Sequence, residues 1–292
     1  MARMVEGLRR RSAVAEIVSE EEIREWSVIE TTGPAVFLGD LHGTLDRVHD
    51  DLAAVGLLNP DQADPLSWEW IGGNAVLVQL GDLYDRGADA DYLRAALGRL
   101  NDQAQQNGGD VVRLIGNHEL KYLGQWPTRL NDAEHLAVAK LVLHGLSTGR
   151  ILGAVAVKGC LAVHAGVNLD IFPEWRGKDA GHMARDINRR LLNAIRCSSE
   201  ITSIKAVREN VFKDPIFYVG PKRGGAFAKV NAGGVFWLDT REGHSDLGFT
   251  QIVGHTPTRS NRVEILEDRN TVLADVGRHP VYGNGSGVYV VK

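Results

Sequence analysis

Cysteine is scarce: Cys160 and Cys197 are the only two among 292 residues. Neither sits in a Cys-x-x-Cys pair, so nothing supports a zinc–thiolate site or a dithiol redox motif. Long apolar runs are missing as well. Nothing approaches the ~18 consecutive apolar residues of a membrane-spanning helix. Arg9-Arg10-Arg11 is a short basic run near the start, but no apolar stretch follows it, so it is not read as a signal peptide. A net charge of −4 leaves no basic footprint for nucleic acid or an anionic membrane. There is no internal repeat, no low-complexity segment and no obvious linker. With 43% hydrophobic and 24% charged residues, the expectation is one soluble globular domain in a reducing, cytoplasmic compartment.

What the chain does have is a set of apolar runs that stop abruptly at residues able to bind metals. Val76-Leu77-Val78-Gln79-Leu80 ends in Gly81-Asp82, followed by Leu83-Tyr84-Asp85-Arg86-Gly87. Ala35-Val36-Phe37-Leu38 ends in Gly39-Asp40-Leu41-His42-Gly43. Val111–Ile115 ends in Gly116-Asn117-His118-Glu119. Cys160–Val163 ends in His164-Ala165-Gly166, and Gln251-Ile252-Val253 ends in Gly254-His255-Thr256-Pro257. A carboxylate at the end of a buried strand is costly unless something neutralises it.

Helical patterns alternate with these runs. Ser19 followed by Glu22 reads as a capping box for a helix over 19–25. Leu45, Val48, Leu52 and Val55 recur at helical spacing, with Thr44 placed to cap. A helix is expected over 89–105 with Tyr92, Ala96, Leu97 and Leu100 inward. Helical character is expected through 120–147, around 178–196 and over 203–212. Ile151–Val157, Val235–Leu238, Thr271–Ala274 and Gly287–Val291 read as further strands. Strand, helix, strand in succession predicts parallel strands in a layered α/β fold.

In such sheets, sites form outside the carboxyl ends of the strands. Five endings gathered there would bring carboxylates, an amide and imidazoles into one cleft. Two divalent ions ~3.5–4 Å apart are held together by a shared carboxylate, and Asp82 is the candidate. Asp40 and His42, two residues apart, face the same way in extended chain and suit one ion. Asn117, His164 and His255 suit the other. An all-nitrogen-and-oxygen set favours manganese, iron or zinc. Arg86 offers a planar fork for a phosphate oxygen. His118 is placed to protonate a leaving alkoxide, with Asp85 orienting it. The remaining histidines, His49, His135, His144, His182, His244 and His279, are read as structural or exposed.

These blocks, in this order, resemble those of the calcineurin-like metallophosphoesterases. The joint presence of Gly-Asp-x-x-Asp-Arg-Gly and Gly-Asn-His-Glu is similar to the phosphoprotein-phosphatase branch. His-Ala-Gly and Gly-His-Thr-Pro point to its bacterial side: Shewanella-like and phage-type protein phosphatases and diadenosine tetraphosphatases. The resemblance implies a single domain over 1–292, a four-layer α/β/β/α sandwich with mixed sheets. It implies two divalent metal ions, most simply manganese, with Asp40, His42 and Asp82 on one, and Asp82, Asn117, His164 and His255 on the other. It implies hydrolysis of a phosphomonoester, on phosphoserine/threonine protein or a small molecule, by a metal-bridging hydroxide, with His118 as proton donor paired to Asp85. Arg86 and Asn117 would bind the substrate phosphate. Family members usually carry a second phosphate-binding arginine before the last histidine. Arg241 is the nearest candidate, with Arg223 behind it and Asp239 resembling a nearby acidic residue. The segments around 120–150 and 167–234 are read as specificity insertions. A dinucleoside polyphosphate hydrolase is the enzymatic rival. A catalytically idle scaffold is the rival outside enzymes, and retention of every ligand and of His118 argues against it.

Overall fold

The computed structural model describes residues 18–45, 48–62, 64–123, 132–199, 213–225, 231–277 and 288–292. The first helix, α1 (Glu20–Ser27), starts where its capping box predicts. Glu22 N–H donates to Ser19 Oγ at 3.1 Å, and Ser19 N–H donates to the Glu22 carboxylate at 2.6 Å.

One sheet is built from β2 (Ala35–Leu38), β3 (Val76–Gln79), β4 (Asp110–Leu114) and β5 (Ile151–Leu152), all parallel, with β11 (Tyr289–Val291) antiparallel at the β2 edge. The other contains β1 (Val28–Ile29), β6 (Ala154–Val157), β7 (Cys160–Val163), β8 (Gln251–Val253), β9 (Glu264–Leu266) and β10 (Thr271–Leu273). Its order is β1-β6-β7-β8-β10-β9, and it mixes parallel with antiparallel pairs.

Strand side chains alternate between faces, and both faces of each sheet are apolar. Ala35, Phe37, Val76, Val78 and Val112 of the first sheet pack against Val155, Val157, Ala162, Ile252 and Val272 of the second. The opposite faces pack on helices. Val36, Leu38, Leu77 and Val111 share a cluster with Leu52 of α2 (Val48–Ala54) and Leu93, Leu97 and Leu100 of α3 (Ala90–Gln106). On the other side, Ala154, Ala156 and Leu161 share one with Met183, Ile187 and Leu191 of α6 (Ala180–Ser199). The result is the expected helix–sheet–sheet–helix sandwich. Between β4 and β5 run α4 (Asn117–Tyr122) and α5 (Asp132–Ser147). Among the described residues, no helix is long and apolar enough to cross a membrane.

Three local expectations change. Ile151–Val157 is two strands in different sheets, split at Gly153. Asn188 of α6 fixes that crossing: its Oδ1 accepts from Gly153 N–H at 2.6 Å and Ala154 N–H at 3.2 Å. Its Nδ2 donates to the Ala154 carbonyl at 2.8 Å and to Ser27 Oγ at 2.9 Å. Tyr92 points outward at 55% exposure, because the buried stripe of α3 runs through Leu93, Ala96, Leu97, Leu100 and Ala104. Val235–Leu238 is buried turn rather than strand: Trp237 and Leu238 N–H both donate to the Gly234 carbonyl. A short apolar run alone does not separate the two. β1 and β9 are strands with no strong sequence signal. The expected helix over 203–212 lies outside the described residues.

Candidate metal site

The candidate residues lie just past β2, β3, β4, β7 and β8, at the carboxyl ends of the strands. The chain turns sharply there. His42, Asp82, Asp85, Arg86 and His255 all have positive φ, between 47° and 75°. Non-glycine residues rarely adopt this conformation, and it concentrates where a site demands it. Asp40 and His42 are brought together by this turn, not by the extended chain the sequence suggested. Asn117 and His118 are the first two residues of α4. Neighbouring glycines make room. A Cβ at Gly116 would collide with Asp82 Oδ1, and one at Gly254 with Asp40 Oδ1.

Asp82 is the centre of the cluster and is 2% exposed. Its Oδ2 is 3.7 Å from His42 Nε2 and 3.7 Å from His118 Nε2. Its Oδ1 is 3.5 Å from His164 Nε2 and accepts from His118 N–H at 2.9 Å. Asn117 Oδ1 is 3.0 Å from His164 Nε2 and 3.0 Å from His255 Nδ1. Asp40 Oδ2 is 3.8 Å from His42 Nε2, and the Asp40 carboxylate accepts from His255 N–H at 3.0 and 3.2 Å. Two triads have ligand atoms close enough for one ion each: His42, Asp82 and His118, and Asp82, His164 and His255. Asp82 belongs to both.

Backbone carbonyls select the tautomers. His164 Nδ1 donates to the Leu80 carbonyl at 2.8 Å, and His42 Nδ1 donates to the Tyr84 carbonyl at 3.4 Å. In each ring, Nε2 is left as a lone pair facing Asp82. Burial holds His42 down to about 3, and burial also lowers His164 and His255. Burial works against an ionised Asp82, but the surrounding imidazoles of His118, His164, His42 and His255 hold its carboxyl below the usual range. Burial, then Asp275 and Asp82, pushes Asp40 well up, and burial pushes Asp275 up to about 6. Lone pairs of Asp82, Asn117 and His164 therefore converge within 3.0–3.5 Å with few donors between them. His255 Nε2 is buried with no hydrogen-bond partner among the described residues. This donor set fits divalent cations, which bind deprotonated ligands.

Beside this cluster, His118 Nδ1 donates to Asp85 Oδ2 at 2.7 Å, and Arg86 Nη2 is 3.4 Å from His118 Nε2. Arg241 is not brought in. Its side chain is 63% exposed and clasps Asp239, with Nε at 2.7 Å and Nη2 at 2.9 Å. Arg223 lies nearer: its Nη2 donates to the His255 carbonyl at 3.2 Å and to Thr256 Oγ1 at 2.8 Å.

Three further residues at the site are ones the sequence reading passed over. Glu119 accepts from the N–H groups of Asp82, Tyr84 and Gly116 at 2.9, 3.0 and 2.8 Å. It thereby ties the end of β3 to the end of β4. Burial and Asp82 raise its carboxyl to about 7. Asp275 follows the apolar run Thr271–Ala274, so the strand-end pattern already pointed to it. Lys121 Nζ is 3.1 Å from His118 Nδ1 and 3.2 Å from Nε2, and nothing in the sequence separates it from a surface lysine.

Comparison with known proteins agrees with this geometry. Residues 33–193 match the calcineurin-like phosphoesterase family. The chain belongs to that family. It is 43% identical over 90 residues to an uncharacterized protein of Schizosaccharomyces pombe, covering 30% of this chain and 26% of that one. It is 35% identical over 85 residues to Shewanella-like protein phosphatase 2 of Arabidopsis thaliana, covering 29% of this chain and 20% of that one. These matches thus span about a quarter or less of each relative's length. In structure, the chain is similar to the cold-active protein-tyrosine phosphatase of a psychrophilic Shewanella, with TM-score 0.62 and 19% identity. That likeness covers 95% of this chain and 80% of that one.

Proposed function

We propose that this protein is a metal-dependent phosphatase that hydrolyses phosphomonoesters, on a phosphoprotein or a small molecule, using two divalent ions. The observation that carries the reading is Asp82, shared between two sets of buried ligand atoms. Asp40, His42 and Asp82 would hold one ion, and Asp82, Asn117, His164 and His255 the other. The ligand set suits manganese, with iron or zinc as alternatives. The bound ions would polarise the phosphoryl group and lower the pKa of a water molecule.

The chain's own residues supply the rest. Arg86 is near enough to His118 to place a phosphate oxygen beside it, and a guanidinium matches that anion geometrically. In this reading Arg223, rather than Arg241, is the second arginine of the phosphate site, because it is bonded to the residue pair that follows Gly254. Asp85 holds the His118 ring by Nδ1, which leaves Nε2 toward the cleft. With a proton on Nε2 as well, the imidazolium gives that proton to the departing alkoxide oxygen. The segments around 120–150 and 167–234 are left to choose the substrate.

The test is an activity screen of the manganese-supplemented protein. The panel is phosphoserine, phosphothreonine and phosphotyrosine peptides, sugar phosphates, nucleotides and diadenosine tetraphosphate. Release of phosphate from monoesters supports the reading. Turnover of diadenosine tetraphosphate alone would replace it with an anhydride hydrolase. No turnover of any of them would reject it.

A further inference from the structure

Past His255 the chain turns through Thr256, Pro257, Thr258 and Arg259. With Arg223 and residues 239–241, this turn encloses a pocket of about 550 Å³. Its charge differs from that of the chain as a whole. The protein carries −4, yet the guanidinium groups of Arg223, Arg241 and Arg259 line this one pocket. Two carboxylates line it too, and Asp239 is shared by two of the three arginines, so the lining carries one guanidinium more than carboxylates. Asp239 lies 2.9 Å from Arg223 Nε and 2.7 Å from Arg241 Nε. Glu264 accepts from Ser260 N–H at 3.0 Å and Ser260 Oγ at 2.7 Å. Two lining residues, Thr240 and Thr258, carry buried hydroxyls with no hydrogen-bond partner among the described residues, and Thr258 is 5% exposed. A buried donor left unpaired is costly, and guanidinium groups favour phosphate and carboxylate oxygens.

We infer that this pocket is a second anion subsite, which receives a phosphate or carboxylate that the substrate carries in addition to the phosphoryl group being removed. The inference rests on the phosphatase reading for its link to turnover. Arg223 joins the two regions, since it lines the pocket and donates to the His255 carbonyl. The preferred substrates are therefore phosphomonoesters with a second acidic group. That group is either an acidic side chain of a phosphopeptide or the second phosphate of a small bisphosphate.

Two matched pairs separate these sources. One is a phosphoserine peptide flanked by aspartates against the same peptide flanked by alanines. The other is fructose 1,6-bisphosphate against fructose 6-phosphate, with 4-nitrophenyl phosphate as reference. In at least one pair, kcat/KM of the manganese-loaded enzyme should favour the more acidic member by about tenfold or more, mainly through KM. Arg259→Gln should abolish that advantage and leave 4-nitrophenyl phosphate within about twofold. Thr258→Val should reduce it. Where monoesters are hydrolysed, no advantage in either pair, or an advantage that survives both substitutions, overturns the subsite.

A binding measurement reads the pocket without turnover. Pyrophosphate titrated into chelator-treated protein should bind, and bind about tenfold more weakly to Arg259→Gln. Absent binding, or binding indifferent to Arg259, also overturns it. If pyrophosphate binds as expected while no monoester is hydrolysed, the phosphatase reading fails and the subsite stands.

Discussion

His164 and His255 face each other across the site, with Nε2 of the first 3.2 Å from Nδ1 of the second. They come from the ends of adjacent strands, β7 and β8, 91 residues apart in sequence. Two neutral rings in this arrangement, with Asn117 Oδ1 3.0 Å from each nitrogen, would form one side of the proposed cation site. His255→Ala should therefore empty one of two metal positions and leave the Asp40–His42 side filled. Metal analysis of the purified variant checks this. Loss of both ions together would show that the two positions are not independent.

The contact between His118 and Asp85 makes a second prediction. Proton donation matters for a poor leaving group and little for nitrophenolate. His118→Asn should keep both metals and lose about 10²–10⁴-fold on alkyl phosphates, with a far smaller loss on 4-nitrophenyl phosphate. Asp85→Asn should show the same bias more weakly, since it only loosens the ring. Equal losses on both substrates would show that His118 is not the acid, and loss of a metal ion from His118→Asn would show that it is a ligand in the triad with His42 and Asp82.

Glu119 is a structural staple in the site. Its two oxygens accept three backbone N–H groups from two strand ends. An amide at this position keeps the shape but has one acceptor oxygen in place of two. Glu119→Gln should cost ~1–3 kcal/mol, the penalty of leaving buried N–H groups unpaired. Denaturant unfolding of the metal-free protein measures it, and a change within ±0.5 kcal/mol, the ordinary range for a surface substitution, would contradict the staple.

Asp186 gives a prediction away from the site. It accepts from Trp175 Nε1 at 2.9 Å and pairs with Arg190 Nε at 2.8 Å. Burial alone would raise its carboxyl. The Trp175 and Arg189 hydrogen bonds and the Arg190 charge outweigh that and hold it below 3.8. A carboxylate depressed on folding stabilises the protein above its unfolded pKa and loses that contribution as pH falls through the folded one. Asp186→Asn should cost ~1–3 kcal/mol near pH 7, and the cost should shrink below about pH 4. Thermal melts of both proteins across this range are the check. A cost independent of pH would show that packing, not charge, is lost.

The parts of this structure that could be read in advance are those set by local pattern. The capping box at Ser19 and Glu22, the apolar run Ala35–Leu38, and the abrupt endings at Asp82 and His164 each depend on a few neighbouring residues. The residues missed depend on tertiary neighbours. The spacing turns Tyr92 inward, but one residue of helical phase makes Leu93 the buried one. Ile151–Val157 is one apolar run in sequence, and only Asn188, 35 residues on from Gly153, divides it between two sheets. Arg223 and Arg241 both pair with Asp239, and only the tertiary fold shows that Arg223 is the one that donates to the His255 carbonyl. Asp275 is legible by the strand-end rule, since it follows the apolar run Thr271–Ala274.

The central claim is that Asp82 is shared by two divalent ions. Elemental analysis after anaerobic purification and manganese loading tests it most directly. The account predicts about two ions per chain, and an Asp82→Asn variant that loses occupancy at both positions together. A wild-type value near zero after loading, or an Asp82→Asn variant that still holds two ions, would contradict it.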